Sequence, residues 1–586
     1  MHERNRSFLW IPSALLIALA STFLAGASTK NLERLWDEQV DHDIAIGLRA
    51  HPLTGESPTL DASQLRLPMY ANALAYALTG RDDITISRTV SLLCGALTIL
   101  AAAALANTLF GSTAAILAAI LLGFSPYFLS FERIAMTEGD IFFACFTTLS
   151  LYAFVCYLQR PTAGRWLLAG LLLAFAIGAK FFAIFLVPVF LVLATSTRSR
   201  GDWQPTYESI ASRKLQRAIT VGILLTIAGP LAVWLSRRYG TPTLESTIAI
   251  IAWLTVFMAW TRATYIALQR GALPRSNLTR CIALIAYAIF SCAALMPVHV
   301  TQPDIAIELL RRTLHWDHQF PLALWSDHLR LYTGIVLLKL SIPLGILSAL
   351  ALLLAAFRER DDGRWRPCIL PIIFYVVLLC FLPLRQTFYL MGVYPLIMIL
   401  TAAFIVELTT WSRSKAVRTT LIVLFTAIFA HAAWLTFNTY PHFNLHAYRT
   451  IGDTWMGRES RGYRNLIQTP SDGVEEMIRW CNTDPSIKPN ARVVSFLWEE
   501  RIIETILPHD TRITLIPRGL SQESDTLPPA PSIDNADYVL LHINNLLGYG
   551  DRPPDTPPMN ILARDFKIAH TVTRGPLAVG WIYARK

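Results

Sequence analysis

The 586-residue chain is 53% hydrophobic and only 16% charged, with a mean hydropathy of +0.42. A soluble domain carries roughly 25% charged residues, so this composition excludes a disordered chain, a collagen and an ordinary cytosolic enzyme. The net charge is nevertheless +10. A nucleic-acid binder would gather that surplus on one face, a membrane protein on one side of the bilayer.

A helix needs about 20 apolar residues to cross a bilayer. In chain order, thirteen runs read as spans: 8–28, 85–108, 112–131, 138–158, 164–179, 181–196, 217–236, 243–261, 281–299, 332–357, 367–384, 388–410 and 417–437. Arg4 and Arg6 precede the first run, which puts the N-terminus inside. That run also resembles a signal peptide, but its apolar stretch is long enough to span. With this orientation the inside segments hold 20 basic residues against seven acidic ones, as orientation by positive charge requires. The basic surplus is therefore a topology signal and carries no implication of nucleic acid. An odd number of spans leaves the C-terminus outside. The expectation is a multi-pass protein of the cell (inner) membrane, with a cytoplasmic N-terminus and an extracytoplasmic C-terminal domain.

Between the first two spans lies a polar loop, 29–66, and then 67–79, too short to cross. With Tyr70 and Tyr76 it reads as an interfacial helix, so 29–84 forms a first outer loop. A second outer loop covers 300–331. From 440 the composition turns polar, dividing the chain into a membrane domain, 1–439, and a soluble α/β domain, 440–586. In the latter, 473–482 reads as an amphipathic helix and 492–497, 537–543, 566–573 and 577–583 as strands. The fold class is mainly α: a polytopic membrane protein of about 13 helices with a small outer α/β domain.

Candidate chemistry collects on the outer side. The first outer loop is acidic, and most of its carboxylates read as a solvated face. Asp37-Glu38, about ten residues beyond the first span, is placed to take a proton from a hydroxyl at the membrane surface. The next outer turn carries Glu138 and Asp140. Thr137 with Asp140 also fits a helix-capping box, which needs no function. Three cations stand apart in apolar surroundings. They are Lys180 in a tight outer turn, Lys339 two turns into the tenth span, and Arg385 at the end of the eleventh. Snorkelling to the headgroups is the plain reading; a paired or functional cation is the other. His315, Asp317 and His318 could ligate a divalent metal, though their spacing is not a standard one, and no cofactor is otherwise implied. The eight cysteines form no C-x-x-C pair, and seven lie in or near apolar runs, where they read as small buried hydrophobes.

The order of these features resembles the GT-C glycosyltransferases, in particular the branch of protein O-mannosyltransferases and bacterial aminoarabinose transferases. The stretches that carry the resemblance are Asp37-Glu38, 88–100, Phe110-Gly111 with 114–126, 170–180, Lys339-Leu340-Ser341-Ile342-Pro343, and 385–395 with Tyr389, Tyr394 and Pro395. The resemblance implies a sugar donor on a polyprenyl phosphate, inversion at the anomeric carbon, and an acceptor hydroxyl on protein, lipid or glycan. It makes Asp37 the base and Glu38 its motif neighbour. Glu138 and Asp140 become the second acidic motif, and Lys180 and Arg385 become partners of the lipid phosphate, with Tyr389 and Lys339 beside them. Arg385 departs from the family, where lysine is frequent at this place. A secondary transporter and a glycan ligase or polymerase remain open as alternatives. In a transferase, Asp37 should meet Glu138 or Asp140 within about 10 Å, with Lys180 or Arg385 close by.

Overall fold

A computed structural model describes residues 9–29, 36–51, 67–134, 140–196, 261–262, 264–266, 277–296, 332, 341–358, 363–381, 387–412, 414–438, 473–495, 513–517, 533, 535–542, 559–574 and 577–586. The expected spans 217–236 and 243–261 (but for its last residue) and the loop 300–331 lie outside them. Among the described residues five helices are long and apolar enough to cross a membrane, or six if one bent pair counts as a span. The chain is thus a mainly helical, multi-pass membrane protein with a small C-terminal sheet.

The first half runs α1 (Trp10–Thr29), α2 (Trp36–Ala50), α3 (Leu67–Thr79), α4 (Ile84–Phe110), α5 (Ser112–Gly123), α6 (Pro126–Glu132), α7 (Asp140–Gln159), α8 (Ala163–Ala179) and α9 (Leu186–Ser196). A 3-10 turn, Phe181–Phe185, joins the last two, so 164–196 holds two helices. The second half adds α10 (Asn277–Leu295), α11 (Ile342–Arg358), α12 (Arg366–Phe381), α13 (Tyr394–Trp411) and α14 (Lys415–Asn438).

Local chemistry sets the ends. Asp83 caps α4, its side chain accepting from the Thr85 amide. Gly111 separates α4 from α5 at φ 98°, a conformation glycine adopts without a Cβ clash. Small side chains let α4 and α5 approach closely: Ala102, Ala103 and Ala106 of α4 share one buried cluster with Ala115, Ala118 and Ala119 of α5. By contrast α14 turns Val417, Ile422, Val423, Leu424, Trp434 and Phe437 outward, which suits a lipid-facing span.

Three expectations change. The polar loop 29–66 contains a helix, α2; its acidic first turn suits the positive end of the helix dipole. The span expected at 112–131 is broken, α5 and α6 meeting at 66°. Ser125 caps α6 ahead of Pro126, a sharp helix start. Tyr394 Oη lies 2.6 Å from Ser125 Oγ, and Thr436 Oγ1 donates to the Phe124 carbonyl at 3.0 Å, which fixes the bend. Finally, the span expected at 332–357 is not one uninterrupted helix. Ser341 takes φ 77°, which no continuous helix allows, and α11 starts only at Ile342.

The C-terminal part holds α15 (Val474–Thr483), β1 (Ala491–Ser495), β2 (Ile513–Pro517), β3 (Tyr538–His542), α16 (Met559–Asp565), β4 (Phe566–Arg574) and β5 (Leu577–Arg585). The sheet order is β2-β1-β3-β5-β4. β1 pairs in parallel with β2 and β3, while β5 pairs antiparallel with β3 and β4. The sequence reading missed β2 and α16. Helix α15 packs on β5, where a Cβ on Gly580 would come 2.6 Å from Met477 Sδ.

Candidate functional site

The acidic motif opens α2. Trp36, Asp37 and Glu38 occupy its first turn. Glu38 is 1% exposed. It accepts two hydrogen bonds from Arg88 of α4, Nε to Oε1 at 3.0 Å and Nη2 to Oε2 at 2.8 Å. Arg88 Nη1 also donates to the Thr29 carbonyl at 3.3 Å, tying the end of α1 to the pair. A planar guanidinium matches a carboxylate edge in this two-point geometry. Glu38 is therefore a buried anchor for the start of α2, and Arg88 is its missing partner in the sequence reading.

A second cluster joins three distant segments. Asp140 opens α7, and Lys180 ends α8. Lys180 Nζ donates to Asp140 Oδ1 at 2.7 Å, with both side chains buried. The ammonium also stands 4.6 Å from the centroid of the Tyr389 ring and 5.8 Å from that of Phe182, a cation–π geometry. Lys180 thus does not snorkel. A lysine in apolar surroundings is held there by a carboxylate and an aromatic face.

Tyr389 belongs to a 3-10 turn, Thr387–Gly392, ahead of α13. Tyr375 Oη of α12 donates to its carbonyl at 2.6 Å, and the Phe182 ring meets it edge-on with centroids 5.2 Å apart. Gly392 lets this turn lie against α7, since a Cβ there would fall 2.0 Å from Phe143 Cε1.

The structure so brings together Asp140, Lys180 and Tyr389, and separately Glu38 and Arg88. Thr137, Glu138, Lys339, Arg385, His315, Asp317 and His318 lie outside the described residues. Among those described, no group of three or more His, Cys, Asp or Glu is placed to hold a metal. Glu475 of α15 lies within electrostatic reach of Arg88.

Sequence reasoning missed further buried polar groups. Glu132, 0% exposed, ends α6, where Ser21 Oγ donates to Oε2 at 2.9 Å and Thr22 Oγ1 to Oε1 at 3.3 Å. It fills the notch left by Gly95, whose Cβ would meet Glu132 Cγ at 2.3 Å. The signal available was a Glu-Arg pair, Glu132-Arg133, at the end of an apolar run.

Residues 67–207 match the family described as dolichyl-phosphate-mannose-protein mannosyltransferase. No curated protein matches the chain. Among solved structures, the chain is similar to the oligosaccharyltransferase of Archaeoglobus fulgidus in its apo form, at 13% identity and a TM-score of 0.47, covering 92% of this chain and 70% of that one. It is also similar to the archaeal oligosaccharyltransferase AglB from Archaeoglobus fulgidus in complex with an inhibitory peptide and a dolichol-phosphate, at 13% identity and a TM-score of 0.47, covering 100% and 75%. ArnT from Cupriavidus metallidurans bound to undecaprenyl phosphate is similar at 13% identity and a TM-score of 0.44, covering 98% of each chain.

Proposed function

We propose, from the match of residues 67–207 to the family described as dolichyl-phosphate-mannose-protein mannosyltransferase, that this protein is a membrane glycosyltransferase that moves a sugar from a polyprenyl phosphate to an acceptor hydroxyl with inversion. Membrane domain 1–439 carries the reaction at the outer surface, and domain 440–586 stands on the same side, with the N-terminus in the cytoplasm. The observation that carries the site assignment is Lys180, a buried ammonium gripped by Asp140 at 2.7 Å and faced by Tyr389.

Chemistry divides the labour. Displacing a lipid phosphate leaves charge on the departing oxygen, and a preorganised cation stabilises it best where water is excluded. Lys180 supplies that charge, oriented by Asp140, with Arg385 as a second phosphate partner and Tyr389 and Lys339 beside them. Asp37 is the base that takes the acceptor proton on the opposite face of the sugar. This parallels an inverting glycosidase, with an acceptor hydroxyl in place of water. Glu38, fully engaged with Arg88, holds Asp37 in place, and Glu138 shapes the acceptor side. The polyprenyl tail stays in lipid, so a site at the membrane surface serves both substrates.

The test is transfer by the protein in nanodiscs from a panel of polyprenyl-phosphate sugars to extracted cell acceptors. Asp37→Asn is expected to lower transfer by at least about 10²-fold with expression unchanged. Wild-type rates in that variant would remove Asp37 from the mechanism, and no transfer from any donor would remove the reaction itself.

A further inference from the structure

A buried hydrogen-bond chain runs beside the Glu38–Arg88 pair and has no part in the roles above. His42 lies one helical turn beyond Glu38 on α2, and Ser87 immediately precedes Arg88 on α4. Tyr76 of α3 stands between them at 0% exposure. Its hydroxyl lies 2.7 Å from His42 Nδ1 and also hydrogen-bonds Ser87 Oγ. The two rings meet edge-on, centroids 5.6 Å apart at 80°. Burial pushes the Tyr76 hydroxyl up to about 12, so it keeps its proton at any physiological pH. It therefore donates to one neighbour while accepting from the other.

The surroundings explain why such a chain is needed. Val40, Ile44, Ala45 and Leu48 of α2 pack on Met69 and Ala73 of α3 in an apolar cluster of their own, separate from the large core of the spans. Apolar contact is non-directional and permits a helix to slide or roll by an ångström. Directional hydrogen bonds do not. Arg88 holds the first turn of α2, and the Tyr76 chain holds the next. The two grips use neighbouring residues of α4, so together they set both the depth and the rotation of α2.

We propose that His42, Tyr76 and Ser87 are positioning residues that lock α2 against α4 and so aim Asp37 at the reacting sugar; this rests on the transferase reading above. All three side chains are buried. Their effect falls on the chemical step, because a misplacement of about 1 Å costs on the order of 10²-fold in rate.

The experiment uses the full chain in nanodiscs. Tyr76→Phe removes one oxygen and leaves the ring packing. It is expected to lower kcat by about tenfold or more, while the donor KM stays within about twofold. Amide exchange should rise across 36–50 and stay unchanged across 140–159. His42→Asn, which keeps a polar atom near the Nδ1 position, is expected to retain most of kcat, and His42→Leu is not. Adding Tyr76→Phe to His42→Leu should cost nothing further, because the chain is already broken. The proposal is overturned if Tyr76→Phe leaves kcat and exchange across 36–50 as in wild type, or if exchange rises over the whole protein in step with the loss. If wild type transfers from no donor, the transferase reading fails and the positioning role with it. If wild type transfers and Tyr76→Phe does so equally, the lock alone fails.

Discussion

Removing the Lys180 ammonium tests the candidate site at its centre. The side chains of Lys180 and Asp140 are 5% and 2% exposed and 2.7 Å apart, so mobile ions screen the pair little. Lys180→Met keeps an unbranched stem of similar width and deletes the charge, the hydrogen bond to Asp140 and the contact with the Tyr389 ring. Removing one member of a buried pair costs about 3–5 kcal/mol, chiefly because the other charge is left uncompensated. Asp140→Asn strands the ammonium and should cost a similar amount. The double variant buries neither charge, so it is expected to be more stable than the sum of the singles by about 2–3 kcal/mol. Denaturant unfolding in mixed micelles reads this coupling. Transfer follows a different rule: it should fall by about 10²–10³-fold in Lys180→Met, the loss expected for one electrostatic donor to a developing negative charge. The double variant should not recover it, because the cation for the leaving phosphate is still missing. Strictly additive singles would refute the pair as a coupled unit. A double variant with wild-type transfer would refute Lys180 as the phosphate partner.

Other perturbations probe the supports. Gly392→Ala sets a Cβ 2.0 Å from the buried Phe143 ring. It is expected to cost about 1–3 kcal/mol by overpacking and to displace Tyr389, seen as lower stability and weaker donor binding. Gly95→Ala pushes on the Glu132 side chain at 2.3 Å; Gly95→Ala combined with Glu132→Ala should be more stable than Gly95→Ala alone, and thermal unfolding checks the order. Arg88→Met leaves Glu38 buried without its bidentate partner and should destabilise by about 3–5 kcal/mol, whereas Arg88→Met with Glu38→Met recovers part of that. The Asp83 carboxyl gives a pH test. Burial raises its pKa, but hydrogen bonds from Thr85 and Arg81, and the Arg81 charge, outweigh this and hold it below the ordinary value. A depressed folded value adds stability above the unfolded pKa, lost as pH falls through the folded one. The excess unfolding temperature of wild type over Asp83→Ala should therefore be full at neutral pH and shrink below about pH 4.

Much of the architecture was legible because its signals are local. Apolar run length predicts α1, α4, α7 and α14 to within a few residues, and a run too short to cross predicts α3 at its observed bounds, Leu67–Thr79; the run 388–410 places the start of α13 six residues early, because the 3-10 turn Thr387–Gly392 precedes Tyr394. Short runs rich in β-branched and aromatic residues mark β1, β3, β4 and β5. Residue type singled out Lys180, since a charge in apolar surroundings is costly wherever it falls, and position beside an apolar run on the expected outer side singled out Glu38 and Asp140. What sequence could not reveal is which partner meets each cost. Lys180 finds Asp140 across 40 positions, Arg88 finds Glu38 across 50, and Ser21 finds Glu132 across 111. No local period encodes those distances, because helix packing sets them. The same holds for the interrupted span. Composition describes 112–131 as one apolar run, while the 66° bend depends on Ser125 and Phe124 being held by Tyr394 and Thr436 from the far end of the membrane domain. Sequence thus determined that this is a membrane chain with charges it must satisfy, and tertiary structure decided how they are satisfied. Burial is a property each segment carries, whereas pairing belongs to two segments at once.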